Sequence, residues 1–189
     1  MRPALALFLL LISSTAYAAP MEVPAPTPKD VSSEEKLFAQ LKQAENAEDA
    51  HPIEQKLMAM FRASGSPSVD LLIVRVQAAL SATDKQTAKK LIDAVTTIAP
   101  SYAEGWHIRA GMEHAAGDDT AALVSLQKVV QLNPRHFAAL YELADMLQDY
   151  GDKAGALKLY RRALELDPHL PNVSQKLREL TTSVEGRDI

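Results

Sequence analysis

The sequence repeats its turn-forming residues at a fixed interval of 34 positions. Pro100, Pro134 and Pro168 follow one another at this spacing, and Gly117 and Gly151 keep the same step. A constant period of this length is typical of stacked helical hairpins, in which no single hairpin can bury its apolar face alone. The period therefore predicts an all-α protein built as a solenoid of helix-turn-helix units.

The N-terminal segment, Met1 to Ala18, has the pattern of a secretory signal peptide. Arg2 precedes a short apolar run, Ala4 to Ile12, and Ala16-Tyr17-Ala18 places small residues around a cleavage position. A run of about 9 apolar residues is too short to cross a bilayer core of about 30 Å as a helix. We expect cleavage near Ala18 and a periplasmic or secreted protein without stable membrane insertion; an uncleaved anchor is the alternative.

Composition and motifs argue against several kinds of activity. The chain has no cysteine, which excludes thiol catalysis, disulfides and thiolate metal sites. Its formal net charge of −4 disfavours a nucleic-acid partner, which would require a basic surface. No nucleophile elbow, phosphate-binding loop or paired-carboxylate spacing is visible. We therefore expect no enzyme activity and no cofactor.

The helical domain is predicted to span residues 32–185. Residues 19–31 are rich in proline and predict an extended, disordered spacer, and Ser32 with Glu35 forms a capping box where order should begin. We expect four repeats over 33–66, 69–102, 103–136 and 137–170, a capping helix over 171–184 and a tail over 186–189. The capping helix should turn Gln175, Lys176, Arg178 and Glu179 to solvent.

The last three hairpins show their helix ends most clearly. Their predicted helices are 68–82 and 84–98, 102–116 and 118–132, and 136–150 and 152–166. Gly117 and Gly151 suit left-handed turns between paired helices, whereas Thr83 stands at that position in the second hairpin. Ser101 and Glu104 predict a further capping box after Pro100.

The second to fourth hairpins resemble tetratricopeptide repeats. The fourth carries the pattern most fully, with Leu140, Leu143, Ala144, Leu147, Gly151, Ala156, Tyr160, Ala163 and Pro168 in register. The third matches at Trp106, Ala110, Gly117, Ala122, Leu126, Val129 and Pro134 but departs at Arg109 and Glu113. The second matches at Leu72, Val76, Ala79, Ala88, Ile92, Val95 and Pro100. The resemblance implies a right-handed α-solenoid of about four hairpins with a C-terminal capping helix.

In the family that this chain resembles, partners bind in a concave groove lined by the first helix of each hairpin. Mapped onto this sequence, the groove holds Asp70, Ile73, Gln77, Glu104, His107, Gly111, His114, Tyr141, Glu142, Asp145 and Asp149. Some family members clamp a peptide carboxylate with lysines and asparagines, and this set contains neither. Because the set is acidic, it should prefer a neutral or basic peptide segment of a partner protein.

Two features leave their roles open. His107 and His114 share a helix face two turns apart, a spacing less suited to a metal than one turn, so we interpret them as groove residues. We interpret His136 and His169 as solvated loop histidines. Arg75 and Arg109 lie one repeat period apart. They either pack their stems and reach Asp70, Asp93 or Glu113, or form a ladder for an anionic partner.

The sequence thus predicts a non-catalytic interaction scaffold in the bacterial periplasm that binds a peptide segment in its concave groove. The alternative is an accessory factor in envelope assembly, such as cytochrome c maturation or cell-wall or outer-membrane assembly, which rests on fold-level analogy. A metal-binding or small-molecule-binding protein, or an enzyme, is the interpretation that the sequence favours least.

Overall fold

The computed structural model describes the backbone of residues 28–186 and the side chains of residues 32–186. Across this range the chain forms nine α-helices and no β-strand, which confirms the all-α prediction. The helices are α1 (Pro28–Gln43), α2 (Ala47–Arg62), α3 (Pro67–Ser81), α4 (Lys85–Ile98), α5 (Ala103–His114), α6 (Asp119–Leu132), α7 (Phe137–Asp149), α8 (Lys153–Leu166) and α9 (Val173–Val184). The predicted signal peptide, residues 19–27 of the predicted spacer and residues 187–189 lie outside the described residues.

The start of α1 differs from the sequence prediction. The helix begins at Pro28, inside the segment expected to be extended, so Ser32 and Glu35 lie within the helix rather than forming its cap. Proline is tolerated in a first helical turn because its missing N–H has no intrahelical acceptor there. A proline-rich composition therefore concealed the first turn of a helix.

The second, third and fourth hairpins have the predicted helices, with ends that agree to within two residues. Gly117 and Gly151 adopt φ values of +80° and +87° at the turns, where a side chain would be strained. Thr83 takes φ +57° at the same place in the second hairpin. A residue branched at Cβ is an outlier there, so this turn carries strain that glycine avoids in the other two.

Small and large side chains alternate in the core as the repeat pattern requires. Ala110, Ala122, Ala144 and Ala156 are all buried, which allows the two helices of a hairpin to approach closely. Leu140 and Tyr160 are fully buried and fill the space that remains. At the C-terminal end, Val173 and Leu180 of α9 close the core formed by α7 and α8.

The third and fourth hairpins each pack on the one before through a stacking face on their first helix, and the second hairpin has the equivalent face. We define this face by three positions: Leu71, Arg75 and Ala78 in α3, Gly105, Arg109 and Met112 in α5, and Ala139, Leu143 and Met146 in α7. In α7 all three are buried with α6 residues in one cluster. In α5 they lie against α4, so closely that a Cβ on Gly105 would be 3.0 Å from Val95. In α3 all three are exposed, Leu71 by 60%.

The stacking face of α3 is open because the first hairpin packs elsewhere. Phe38, Leu41 and Leu57 of α1 and α2 form a buried cluster with Phe137 at the start of α7. Phe61 lies 5.0 Å from the ring of His136, centroid to centroid. The first hairpin thus lies against the N-terminal ends of the first helices of the later hairpins, rather than along α3.

A sharp bend between α2 and α3 allows this arrangement. The two helix axes differ by 117°, and Asp70 of α3 holds the connecting loop by accepting hydrogen bonds from the hydroxyl and the backbone N–H of Ser64. Among the described residues, no single helix has the length and apolar character of a membrane span. Helices α2 and α3 meet the criteria of length and apolar character only when they are taken together, and this pair is bent.

Candidate functional site

The predicted groove residues fall into a buried set and an accessible set. Ile73 and Glu104 are buried, and His107 is nearly so, with 15% of its side chain exposed. The half-buried members are Tyr141, Glu142 and Asp145, and the exposed ones are Asp70, Gln77, Gly111, His114 and Asp149. The predicted groove face is therefore only partly available to a partner.

Glu104, His107, His136 and Glu142 form a hydrogen-bonded cluster between α5 and α7. One oxygen of Glu104, Oε2, lies 3.2 Å from Nδ1 of His107 and 3.1 Å from Nε2 of His136. The other nitrogen of His107, Nε2, lies 3.0 Å from Glu142 Oε2. Because Phe61 stacks beside His136, the first hairpin covers this cluster.

The geometry assigns the protons in the cluster. His136 caps α7, since its Nδ1 accepts a hydrogen bond from the backbone N–H of Ala139. The proton of a neutral His136 must then sit on Nε2, where it is donated to Glu104. Both nitrogens of His107 face carboxylates, so His107 donates from both and is an imidazolium.

The pKa values of this cluster follow from burial set against charge. Burial is the largest influence on His107 and favours the neutral ring, yet the hydrogen bonds and charges of Glu104 and Glu142 together raise its pKa to about 10. Burial also favours protonated Glu104, but hydrogen bonds from both histidines and the charge on His107 lower its pKa to about 2. At neutral pH the cluster is an ionic network in which the His107 imidazolium lies between the Glu104 and Glu142 carboxylates.

Glu104, His107 and His136 are also close enough to hold a metal ion, because one ligand atom from each lies within 4.8 Å of the others. A metal on His136 Nε2 would force the proton onto Nδ1, which would then face the Ala139 N–H and lose the helix cap. A metal would also have to displace the proton of His107. The donor geometry therefore fits a proton-linked network better than a metal site.

A second cluster joins α9 to α7. Lys176 donates to Asp145, lies 3.4 Å from the Tyr141 hydroxyl and sits 5.1 Å above the Tyr141 ring. The Tyr160 hydroxyl also donates to Asp145 and to Gln148, the latter at 3.1 Å. Burial, followed by the Asp145 carboxylate, raises the pKa of Tyr160. Asp145 is thus neutralised within the protein.

The structure corrects the sequence interpretation at several residues. His136, predicted in a solvated loop, is fully buried as a helix cap. The predicted capping box of Ser101 and Glu104 does not form, because α5 has no side-chain cap. His114, predicted as a groove residue with His107, is exposed and contacts Asp119 at 2.7 Å. Lys176, predicted on the outer stripe of α9, instead contacts α7.

The sequence contains partial signals for the two residues that it failed to identify. His136 stands where a helix cap is required, directly before Phe137 and two residues after Pro134. Lys176 precedes Leu177, which packs into the core formed with α7 and α8. Its neighbours Gln175, Arg178 and Glu179 are exposed, and Gln175 donates to Glu179 within α9. Neither signal identified the residue that is contacted, because both contacts join residues that are distant in sequence.

Comparisons with known proteins agree with this architecture. A family model described as "Tetratricopeptide repeat" matches residues 137–170, the fourth hairpin. A TPR repeat-containing protein of Rhizobium etli is 26% identical over 152 residues, which cover 80% of this chain and 74% of that protein. Both results point to the repeats rather than to a particular partner.

Solved structures share the helical stack. The first TPR of Spaghetti (RPAP3), bound to the HSP90 peptide SRMEEVD, has a TM-score of 0.55 at 17% identity and covers 62% of this chain and 93% of that one. A crystal structure of MamA has a TM-score of 0.56 at 15% identity, with 83% and 84% covered. The fourth hairpin matches the tetratricopeptide repeat model, and the described helices form the tetratricopeptide-type α-solenoid seen in these solved structures.

Proposed function

We propose that this protein is a non-catalytic scaffold that binds a neutral or basic peptide segment of a partner protein along the groove face of α3, α5 and α7. The tetratricopeptide repeat fold supports a protein-interaction role in general, and the Spaghetti structure contains a bound peptide. The observation that carries the narrower proposal is the open surface around Gly111.

Gly111 lies in the middle of the groove face and has free space above it. It occupies the same repeat position as Gln77 in the preceding hairpin and Asp145 in the following one. A Cβ placed on Gly111 would have no atom within 4 Å. Glycine at an exposed site allows the backbone of a ligand to approach closely. This opening supports an extended segment that crosses α5 at Gly111.

The charges near this surface support a neutral or basic segment. His107 and Lys176 compensate Glu104 and Asp145, so the face is less acidic than its sequence suggests. Asp149 is exposed and forms no ion pair within residues 32–186, and the Glu142 side chain is 44% exposed. An acidic peptide such as SRMEEVD would meet these carboxylates, and Lys176 is already engaged by Asp145.

We place this function in the periplasm, following removal of residues 1–18. Arg2, the apolar run and the small residues before Ala19 support export. N-terminal sequencing of the protein from a periplasmic extract should begin at Ala19, and recovery of intact Met1 from the cytoplasm would refute export. An envelope-assembly role would be one use of the same binding activity, and the identity of the partner decides it.

Affinity capture with two matched tryptophan variants tests the groove. Gly111→Trp fills the open surface, whereas Ala154→Trp adds the same side chain at an exposed position of α8. Wild type and Ala154→Trp should retain the same partner at equal yield, and Gly111→Trp should lose it. Equal capture by both variants, with unchanged thermal unfolding, would rule out binding across Gly111.

A further inference from the structure

A pocket opens between the second and third hairpins, at the end where each hairpin turns. Its volume is about 340 Å³. The apolar part of its lining comprises Leu80, Ile92, Met112, Ala115, Ala116 and Ala121. None of these residues belongs to the predicted groove, so the pocket is a separate feature of the surface.

The repeat register explains why space remains here. At the next junction, between the third and fourth hairpins, the positions corresponding to Lys89, Arg109, Glu113 and Ala116 hold Leu123, Leu143, Leu147 and Tyr150. The three leucines pack against the core between those hairpins, and the Tyr150 hydroxyl donates to Asp119 at 2.7 Å. Polar or smaller residues replace these large side chains in the earlier junction and leave the pocket.

The charged side chains around the pocket differ in whether they already have a partner within the protein. Asp93 is held by Lys89 at 2.7 Å, and Glu113 accepts from Arg109 at 2.7 Å and from Ser125 at 2.6 Å. Asp118, a third acid in the lining, caps α6 by accepting from the Ala121 N–H. Asp93 and Glu113 are therefore paired with cations within the protein, whereas Asp118 accepts a backbone hydrogen bond as a helix cap.

Lys85 is the lining cation that remains available. It forms no side-chain hydrogen bond or ion pair with any residue between 32 and 186, and it is exposed. The free charged hydrogen-bond donor at the pocket is therefore the Lys85 ammonium, although the lining as a whole holds three cations and three acids. An apolar pocket beside an unpaired ammonium suits a ligand with an apolar body and a negative head.

We propose that this pocket is a binding site for a small amphipathic anion, with the apolar body between α4 and α5 and the carboxylate or sulfonate head at Lys85. Its volume lies within the range of about 300–1,000 Å³ that is usual for small-molecule sites. The proposal does not depend on peptide binding at Gly111, because the two surfaces share no residue.

Two fluorescent probes that differ only in their head group test both parts of the proposal. The first, 1-anilinonaphthalene-8-sulfonate, carries a sulfonate on the aromatic body of the second, N-phenyl-1-naphthylamine, which is neutral. Both should bind the mature wild-type protein saturably at one site per chain. Lys85→Glu should weaken binding of the sulfonate probe by about tenfold and leave the neutral probe within about twofold. An equal response of both probes would overturn the role of Lys85.

Variants that fill the pocket test whether the probes bind there. Ala116→Tyr introduces the residue that stands at the next junction, and Ala121→Leu fills the pocket from its other side; each should weaken both probes by about tenfold or more. Ala154→Leu, at an exposed position outside the pocket, should change neither. Leu71→Gln reports probe binding to the open face of α3. If it removes the signal while folded Ala116→Tyr retains it, the proposed pocket is wrong.

Discussion

The same repeat position lies in three different environments in this molecule. It is Arg75 in α3, Arg109 in α5 and Leu143 in α7, each one repeat period after the last. Leu143 is buried against α6, Arg109 has 30% of its side chain exposed beside α4, and Arg75 is exposed on α3. The spacing defines where a residue stands on its helix, but the helix that precedes it in the stack decides whether that residue is covered.

This difference separates an N-terminal region from the rest of the solenoid. From α3 onwards, each second helix packs on the next first helix. Before α3 the chain bends by 117°, and the first hairpin packs on α7 and α8 instead. In a solenoid, stability is approximately the sum of repeat terms and nearest-neighbour interfaces. Substitutions on the stacking face should therefore cost much more in α7 than in α3.

The largest effect on stability is expected at Leu143, the last of the three equivalent positions. Leu143→Ala removes a buried side chain between α6 and α7 and leaves a cavity. The free energy of unfolding should fall by about 2–5 kcal/mol. Urea unfolding measures this, and a decrease in the midpoint without a change in slope identifies a loss of stability. A loss smaller than about 1 kcal/mol would contradict the packing of this junction.

The ionic contact across the same junction should give a smaller, pH-dependent effect. The folded pKa of His107, about 10, lies above its ordinary value of 6.5. The stabilisation is therefore complete below about pH 6.5 and is lost as the pH rises through about 10. His107→Gln should cost about 2 kcal/mol at pH 6, and the difference from wild type should shrink towards pH 10.

His114→Gln is the matched control for this pH series. The His114 side chain is 66% exposed and pairs with Asp119 at the surface, so its loss should cost less than about 1 kcal/mol. Thermal unfolding of the three proteins between pH 6 and 10 provides the comparison. If the gap between wild type and His107→Gln stayed constant across this range, His107 would not be the titrating group.

The sequence was most informative where structure depends on local spacing. Gly117, Gly151 and the junction prolines predicted the helix ends of three hairpins because turns and caps depend on nearby residues. It was least informative about contacts between distant segments, such as His136 with Glu104 or Lys176 with Asp145. It also gave Arg75 and Arg109 the same two possible roles, since periodicity cannot show that the first hairpin leaves α3 uncovered.

The smallest effects test whether Arg75 and Arg109 differ as their surroundings indicate. Arg109 donates to Glu113 at 2.7 Å and to Thr96 at 3.2 Å, and its guanidinium lies 5.5 Å from the centre of the Trp106 ring. Arg109→Met keeps much of the packed stem but leaves Glu113 with Ser125 alone, so it should cost about 1 kcal/mol.

Arg75→Met makes the same change on the open face of α3. Arg75 has no hydrogen bond or ion pair with the described side chains, so the free energy of unfolding should change by less than about 0.5 kcal/mol. Urea unfolding at one pH and salt concentration measures the free energy of unfolding of both variants. Equal losses at the two positions would mean that α3 is covered in solution as α5 is, and that the first hairpin stacks on it. A loss confined to Arg109 is the result that the bend between α2 and α3 requires.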